Sequence, residues 1–293
     1  MSTPTIDDLI TEPGVYEIPE DVYHRDPVPG GSLSSSGARR LLEPSCPAKY
    51  AYEREHGRPP TLAFNLGHAA HRKVLGAGAD VVVVDAPDWR TKAAKDERDA
   101  AYAAGQVPIL KKEAEQVEAM AAAIRAHPVA SKLFDPERGG QPEQSLFWRD
   151  RRTGIWRRAR LDWYPVLSTG RRLIIPDYKT CVSAEPKAIE RASYDHGYAQ
   201  QDDWYLDGVR ALQLAGDLEP AFIFVFQEKT APYIVTVAEM EPTAKRWAAA
   251  KNREAIDTYV ECATTGHWPG YSEGIEQIAL PAYAERQFLE AKI

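Results

Sequence analysis

The spacing of apolar residues changes period along the chain. GVYEIPEDVYHRDPVPGGSLSSS predicts a short strand and a loop, ending in serines able to cap a helix. A helical stretch follows from about Gly37, breaks near EPSCP and resumes through AKYAYEREHG. PTLAFNLGHAAHRKVLG predicts another helix, with Gly67 and His71 one turn apart. VVVVDAP has the β-branched run of a buried strand. From Thr91 to about Phe134 the pattern is helical, broken around GQVP.

Beyond that point the period becomes two. SLFWRD, GIWRRARLDWYPVL and RRLIIPDYKTC predict an antiparallel meander. Helix returns from about Pro186 to Leu214. AFIFVFQEK and YIVTVAEM then predict a strand pair around TAP, and TAKRWAAAKNREAIDTYVECATTG a long helix. The tail predicts a loop with a short terminal helix. With no internal repeat or low-complexity tract, the expectation is one α/β domain: a flexible 1–13, a helical part over 14–135, a core over 141–265 and a tail over 266–293.

Composition narrows the class without naming a chemistry. At 293 residues, 44% hydrophobic and 27% charged, the chain matches an ordinary globular protein. It has neither a secretory leader pattern nor an apolar run of membrane length. Cys46, Cys181 and Cys262 form no CxxC pair, which predicts reduced thiols in the cytoplasm and no iron–sulfur cluster. The net charge of −7 argues by itself against nucleic acid. Yet RDRRTGIWRRAR, Arg149 to Arg160, holds six arginines against one aspartate, and Arg171 and Arg172 follow. Such a run is either a solvated hairpin face or a phosphate-binding stripe; its position beside IIPDYKTC favours the stripe.

IIPDYKTC presents Asp177 and Lys179 two residues apart, on one face of a strand. A tight turn at Thr169 and Gly170 would set Asp162 opposite Asp177 and Arg160 opposite Lys179. Two such carboxylates repel unless a cation lies between them, and hard oxygen ligands suit Mg²⁺ or Mn²⁺. An odd-length loop would separate the two aspartates, and simple ion pairing with neighbouring cations is the competing reading. On predicted helices, His71 follows Gly67 by one turn, and Gln201 and Tyr205 of QDDWY project together; His68 lies on a different face.

The ordered set GxxxH, Asp162, D-x-K and Q-xxx-Y resembles the PD-(D/E)XK nuclease superfamily in its RecB-like branch. YHRDPVPGGSLSSSGARRLLEPSCPAKY, AMAAAIRAHPVASKLF and the E-x-S of Glu143 and Ser145 extend the resemblance to RecE-type (exonuclease VIII) phage exonucleases, over about Gly14 to Tyr283. The family often has glutamate where Asp177 stands.

The resemblance implies a restriction-endonuclease-like core: a mixed central sheet with an antiparallel hairpin, flanked by helices, plus a helical N-terminal elaboration. It makes His71, Asp162, Asp177 and the Tyr178 carbonyl ligands of Mg²⁺, with Mn²⁺ able to substitute. Lys179 would orient or deprotonate the attacking water, Gln201 and Tyr205 would position water and the DNA end, and Glu143 would assist a second metal. DNA contacts are expected at Arg157, Arg158, Arg160, Ser35 and Arg39, although capping is the commoner job for Ser34, Ser35 and Ser36.

The implied activity is digestion of linear duplex DNA, 5′ to 3′, exposing a 3′ strand for a RecT-like single-strand annealing protein, by a homo-oligomeric ring. No ATP site is expected, because the phosphate-loop pattern is absent. Alternatives are a single-strand or endonucleolytic repair nuclease, or a non-catalytic DNA-binding protein on the same fold.

Overall fold

The computed structural model describes residues 10–57, 65–166 and 172–291. In chain order, β1 (Gly14–Tyr16), α1 (Glu20–Arg25), β2 (Leu33–Ser34), α2 (Ser35–Leu41) and α3 (Pro47–His56) come first. Next are α4 (Asn65–Leu75), β3 (Val81–Val84), α5 (Lys92–Ala103), β4 (Val107–Leu110), α6 (Lys111–Ala126) and α7 (Ala130–Leu133). The strands β5 (Gln141–Arg149), β6 (Trp156–Tyr164) and β7 (Arg172–Cys181) lead to α8 (Pro186–His196) and α9 (Tyr198–Ala211). Finally β8 (Glu219–Glu228), β9 (Val235–Ala238), α10 (Pro242–Thr265) and α11 (Ala282–Glu290) complete the chain.

Local chemistry explains the helix boundaries that frame the site. Ser34 caps α2 by accepting the Gly37 N–H at 3.1 Å. Pro186 opens α8, where Glu185 accepts the Ala188 N–H at 2.9 Å. Gly197, at φ +67°, ends α8 and starts α9 in one residue, so the chain turns sharply at that point. GQVP, expected only as a break, holds β4, which pairs in parallel with β3. VVVV forms β3 but is not buried along its length, since Val83 is 50% exposed.

Strands are ordered β1-β5-β6-β2 in one sheet and β7-β8-β9 in another. The pairs β5–β6 and β8–β9 are antiparallel, whereas β7–β8 is parallel over its whole length. The expected antiparallel pairing of β6 with β7 is corrected: among the described residues they share no ladder. The proposed Thr169–Gly170 turn lies outside the described residues.

Pro176 accounts for the missing ladder. Successive backbone N–H groups on a strand point to opposite sides. The Tyr178 N–H points to β6, where Asp162 Oδ2 accepts it at 2.7 Å. By alternation the nitrogen of Pro176 faces β6 as well, and it carries no hydrogen to donate. A proline is therefore tolerated in this long strand because β8, on the other side, needs nothing from it. The seam it leaves open is where the Asp162 carboxylate enters.

Helices cover both faces of these strands. On one side Leu161, Ile175, Trp204 and the ladder Phe222, Phe224, Phe226 form the larger apolar cluster, with α9 and α10 packed together over it. On the other side Tyr178 and Val225 meet residues of α4, β4 and α6. No helix among the described residues is long and apolar enough to cross a membrane. Cys46, Cys181 and Cys262 are all free thiols.

Candidate active site

Glycine brings the α4 histidine into reach. A Cβ on Gly67 would stand 3.2 Å from Thr180 Oγ1, so its absence lets α4 press against β7. One turn on, His71 is sandwiched between two carboxylates: Nδ1 lies 3.3 Å from Glu143 Oε1 and Nε2 3.1 Å from Asp162 Oδ2. Burial works against the imidazolium, but Asp162 and then Glu143 outweigh it and raise His71 to about 9. His68, three residues before His71 on α4, is exposed.

Glu143 arrives by an unusual backbone. The β5–β6 ladder pairs Pro142 with Trp163 and Gln144 with Leu161, skipping Glu143 where Asp162 would be its partner. Glu143 has φ +57°, a left-handed conformation that costs a non-glycine residue on the order of 1 kcal/mol or more. Its side chain meets both His71 and the Arg160 guanidinium. The sequence singled out Glu143 only through the E-x-S resemblance; this departure from strand geometry has no local signature.

Asp177 is 1% exposed. Its Oδ1 accepts from Gln201 Nε2 at 2.7 Å and its Oδ2 is paired with Lys179 Nζ. Burial first, and the neighbouring Asp162 second, push Asp177 up to about 7. Asp162 moves the opposite way: burial raises it, but His71, Lys179 and the Tyr178 N–H overcome that and hold it below its usual range. Burial also opposes the Lys179 ammonium, and here Asp177 and Asp162 prevail to raise it.

Tyr205, one turn beyond Gln201, packs edge-on against Phe222 at 5.4 Å. Burial drives its phenol well above the ordinary range, with added contributions from Tyr23, Asp177 and Asp162. Tyr198, which the sequence did not suggest, has its ring centroid 5.8 Å from Lys179 Nζ. The Tyr178 carbonyl shares the side of its own N–H and therefore faces the same seam as Asp162.

The arginines expected on DNA are engaged elsewhere. Arg157 is corrected outright: it is 2% exposed, paired with Asp150 and Asp207, and stacked on Trp148 and Trp204 at 4.9 and 3.9 Å. Strand alternation turns it inward, opposite to Arg158 and Arg160. Arg158 bonds the Ser32 carbonyl at 2.7 Å and Asp26 at 2.5 Å, and Arg160 is held by Glu143 and the Ile18 carbonyl. Ser35 is also corrected, because it is buried in the first turn of α2 while Ser34 does the capping. Arg39 lies at the α8–α9 junction, donating to the Asp195 carbonyl at 3.1 Å. Arg171 lies outside the described residues.

His71, Glu143, Asp162, Asp177, Lys179 and Gln201 thus meet at one place, from α4, β5, β6, β7 and α9. Among the described residues no three His, Cys, Asp or Glu side chains adopt an ion-holding geometry. The reason is visible: His71 and Lys179 themselves occupy the carboxylates as counter-cations. The donor set still suits a hard dication. Burial first, and Asp162 second, raise the proton affinity of Asp177 in spite of Lys179 and His71, and a dication would relieve both.

Comparison with known proteins agrees with this geometry. The crystal structure of a "putative exonuclease" from Eubacterium rectale superimposes with a TM-score of 0.59 at 15% identity, covering 94% of this chain and 96% of that one. That likeness shows the fold, a restriction-endonuclease-like mixed α/β arrangement. No curated protein sequence matches. The family described as "PDDEXK-like domain of unknown function (DUF3799)" matches residues 34–281, and this chain, carrying a nuclease-superfamily fold, belongs to it.

Proposed function

We propose that the chain hydrolyses DNA phosphodiester bonds as a Mg²⁺-dependent exonuclease acting on linear duplex ends. The observation that carries this reading is the buried meeting of Asp162, Asp177 and His71 beside the Lys179 ammonium. A phosphodiester is shielded by its own charge, so its hydrolysis needs that charge neutralised and a water activated.

Asp162, Asp177, His71 and the Tyr178 carbonyl would hold the metal, which when bound supplies a water of lowered pKa and screens the phosphate. Lys179 supports an anionic transition state and orients the attacking water. Gln201 fixes the Asp177 carboxylate through its 2.7 Å hydrogen bond. Glu143 steadies His71 from the side opposite Asp162, leaving a second-metal role open to it. Tyr205 supplies a protonated phenol close to both aspartates.

The finer reading is 5′ to 3′ digestion that exposes a 3′ strand for a RecT-like annealing protein, carried out by a ring-shaped oligomer without ATP. It rests on the resemblance of the ordered motif to RecE-type exonucleases. A linear duplex labelled separately at its 5′ and 3′ ends, incubated with Mg²⁺ and then with EDTA, tests it. Early release of the 5′ label, arrested by EDTA, is expected, and a covalently closed circle is expected to survive. Cleavage of the circle would shift the reading to an endonuclease; no cleavage of any DNA would refute it.

A further inference from the structure

The outward face of α8 carries chemistry that the hydrolytic site does not use. Lys187, Arg191 and Tyr194 stand at helical positions i, i+4 and i+7, opposite the buried Ile189. Like charges one turn apart disfavour a helix by a few tenths of a kcal/mol. Both cations are exposed, and neither has a carboxylate partner among the described residues. Asp195 follows Arg191 by one turn without pairing to it, and Glu185 spends its carboxylate on the Ala188 N–H. The two cations line, together with Glu185, Asp195 and His196, a groove of about 420 Å³ floored by Ala188 and Ala192.

Aromatic surface lies beside these cations. Tyr194 is 72% exposed, and its ring stands 5.7 Å from Trp247 of α10 at a tilt of 36°. Trp247 itself is 37% exposed. Ring contacts connect the groove's rim to the site. His196 lies 5.6 Å from the Tyr198 ring, and that ring lies 5.8 Å from Lys179 Nζ. Arg39 meets the same junction through the Asp195 carbonyl.

Resting on the nuclease reading above, we infer that the α8 face and Trp247 form a track for single-stranded DNA leading to the Lys179 end of the site. Lys187 and Arg191 take backbone phosphates, and Tyr194 and Trp247 stack on bases. Phosphate contact with aromatic stacking is how proteins hold single strands without reading sequence. A duplex hides its base faces and would use only the cations. An acidic peptide would do likewise.

The test is fluorescence anisotropy of a labelled dT oligonucleotide of about 16 nucleotides, titrated with the full chain in EDTA so that nothing is cleaved. The double variant Lys187→Glu/Arg191→Glu is expected to weaken binding at least tenfold and to flatten the salt dependence by about 1.4 log units per decade. Trp247→Ala is expected to weaken dT binding about tenfold and to leave binding of an abasic oligonucleotide unchanged. Thermal melting checks each fold, and Lys187→Gln/Arg191→Gln replaces the double variant if it fails to fold.

Unchanged dT affinity in the charge variant overturns the track. So does an equal effect of Trp247→Ala on dT and abasic strands, or displacement of dT by polyglutamate at equal charge. The parallel cleavage assay separates the two levels. Wild-type hydrolysis with unaltered binding in the variants refutes the track alone, whereas absent hydrolysis of every DNA with Mg²⁺ refutes the nuclease reading beneath it.

Discussion

Strand β6 carries a buried charge cluster on each face, and the two are built to opposite ends. On one face Arg157 is enclosed between Trp148 and Trp204 and paired with Asp150 and Asp207. Asp150 in turn accepts from Arg253 at 2.8 Å and Thr153 at 2.9 Å, and these partners overcome burial to hold its carboxyl far below the usual range. On the other face Asp162 and Asp177 crowd together, and Asp177 is pushed up to about 7 by burial and by that neighbour. The first cluster pairs each of its charges, although Arg157 Nε has no hydrogen-bond partner. In the second, burial and Asp162 outweigh Lys179 and His71 at Asp177, and a perturbed buried carboxylate beside a second one marks a candidate chemical site. Burial alone therefore does not separate a structural charge from a chemical one.

The largest expected effect sharpens that contrast. Asp177→Asn should reduce Mg²⁺-dependent DNA hydrolysis at least a thousandfold, about 4 kcal/mol in activation free energy, while the melting temperature stays within a few degrees. Parental cleavage rates in this variant would place the chemistry elsewhere. Arg157→Met should invert the pattern. Removing one partner of a buried ion network costs roughly 3 kcal/mol of stability, read by urea unfolding, while cleavage per folded molecule stays within about twofold. If stability holds and DNA affinity falls, Arg157 binds DNA after all.

A third buried carboxylate is raised as Asp177 is, away from the candidate site. Asp202 on α9 is fully buried, neither oxygen has a hydrogen-bond partner, and Lys245 Nζ stands 3.7 Å away. Burial raises it to about 7, against the partial help of Lys245. Because its folded pKa lies above its unfolded value, the fold binds this proton more tightly than the unfolded chain. Its stabilising contribution is therefore complete below about pH 4 and lost as pH rises through 7. Asp202→Asn should accordingly stabilise the protein by roughly 2 kcal/mol at pH 8, with the gain vanishing near pH 4. Melting temperatures across that range check the sign. The smallest effect belongs to His68, exposed on α4. His68→Ala should change stability by less than about 0.5 kcal/mol and cleavage by less than about twofold, whereas His71→Ala should cripple metal-dependent cleavage.

Much of the site was legible because its members recur at helical and strand intervals in a fixed order. Gly67 and His71, Asp177 and Lys179, and Gln201 and Tyr205 each share a face by local geometry alone. The arginine run shows where such reading stops. RRAR on a strand must alternate, but alternation does not say which face meets solvent, and Arg157 turned into the core because Trp148, Trp204, Asp150 and Asp207 converge there. The hairpin geometry between Asp162 and Asp177 failed for a related reason. Proximity of the two strands was correct, but Pro176 removed the donor a ladder needs, and a side chain filled the seam instead.

Period, capping and side-chain type define the kinds of element, the α/β alternation and the set of residues able to do metal and phosphate chemistry. Which of those residues meet follows from packing between distant elements. Long-range contacts set the open seam between β6 and β7, the left-handed turn of Glu143 toward His71 and the pairing that holds Asp150 low and leaves Asp177 raised. Those outcomes depend on partners far apart along the chain, and a charge's free energy is set by its neighbours in space.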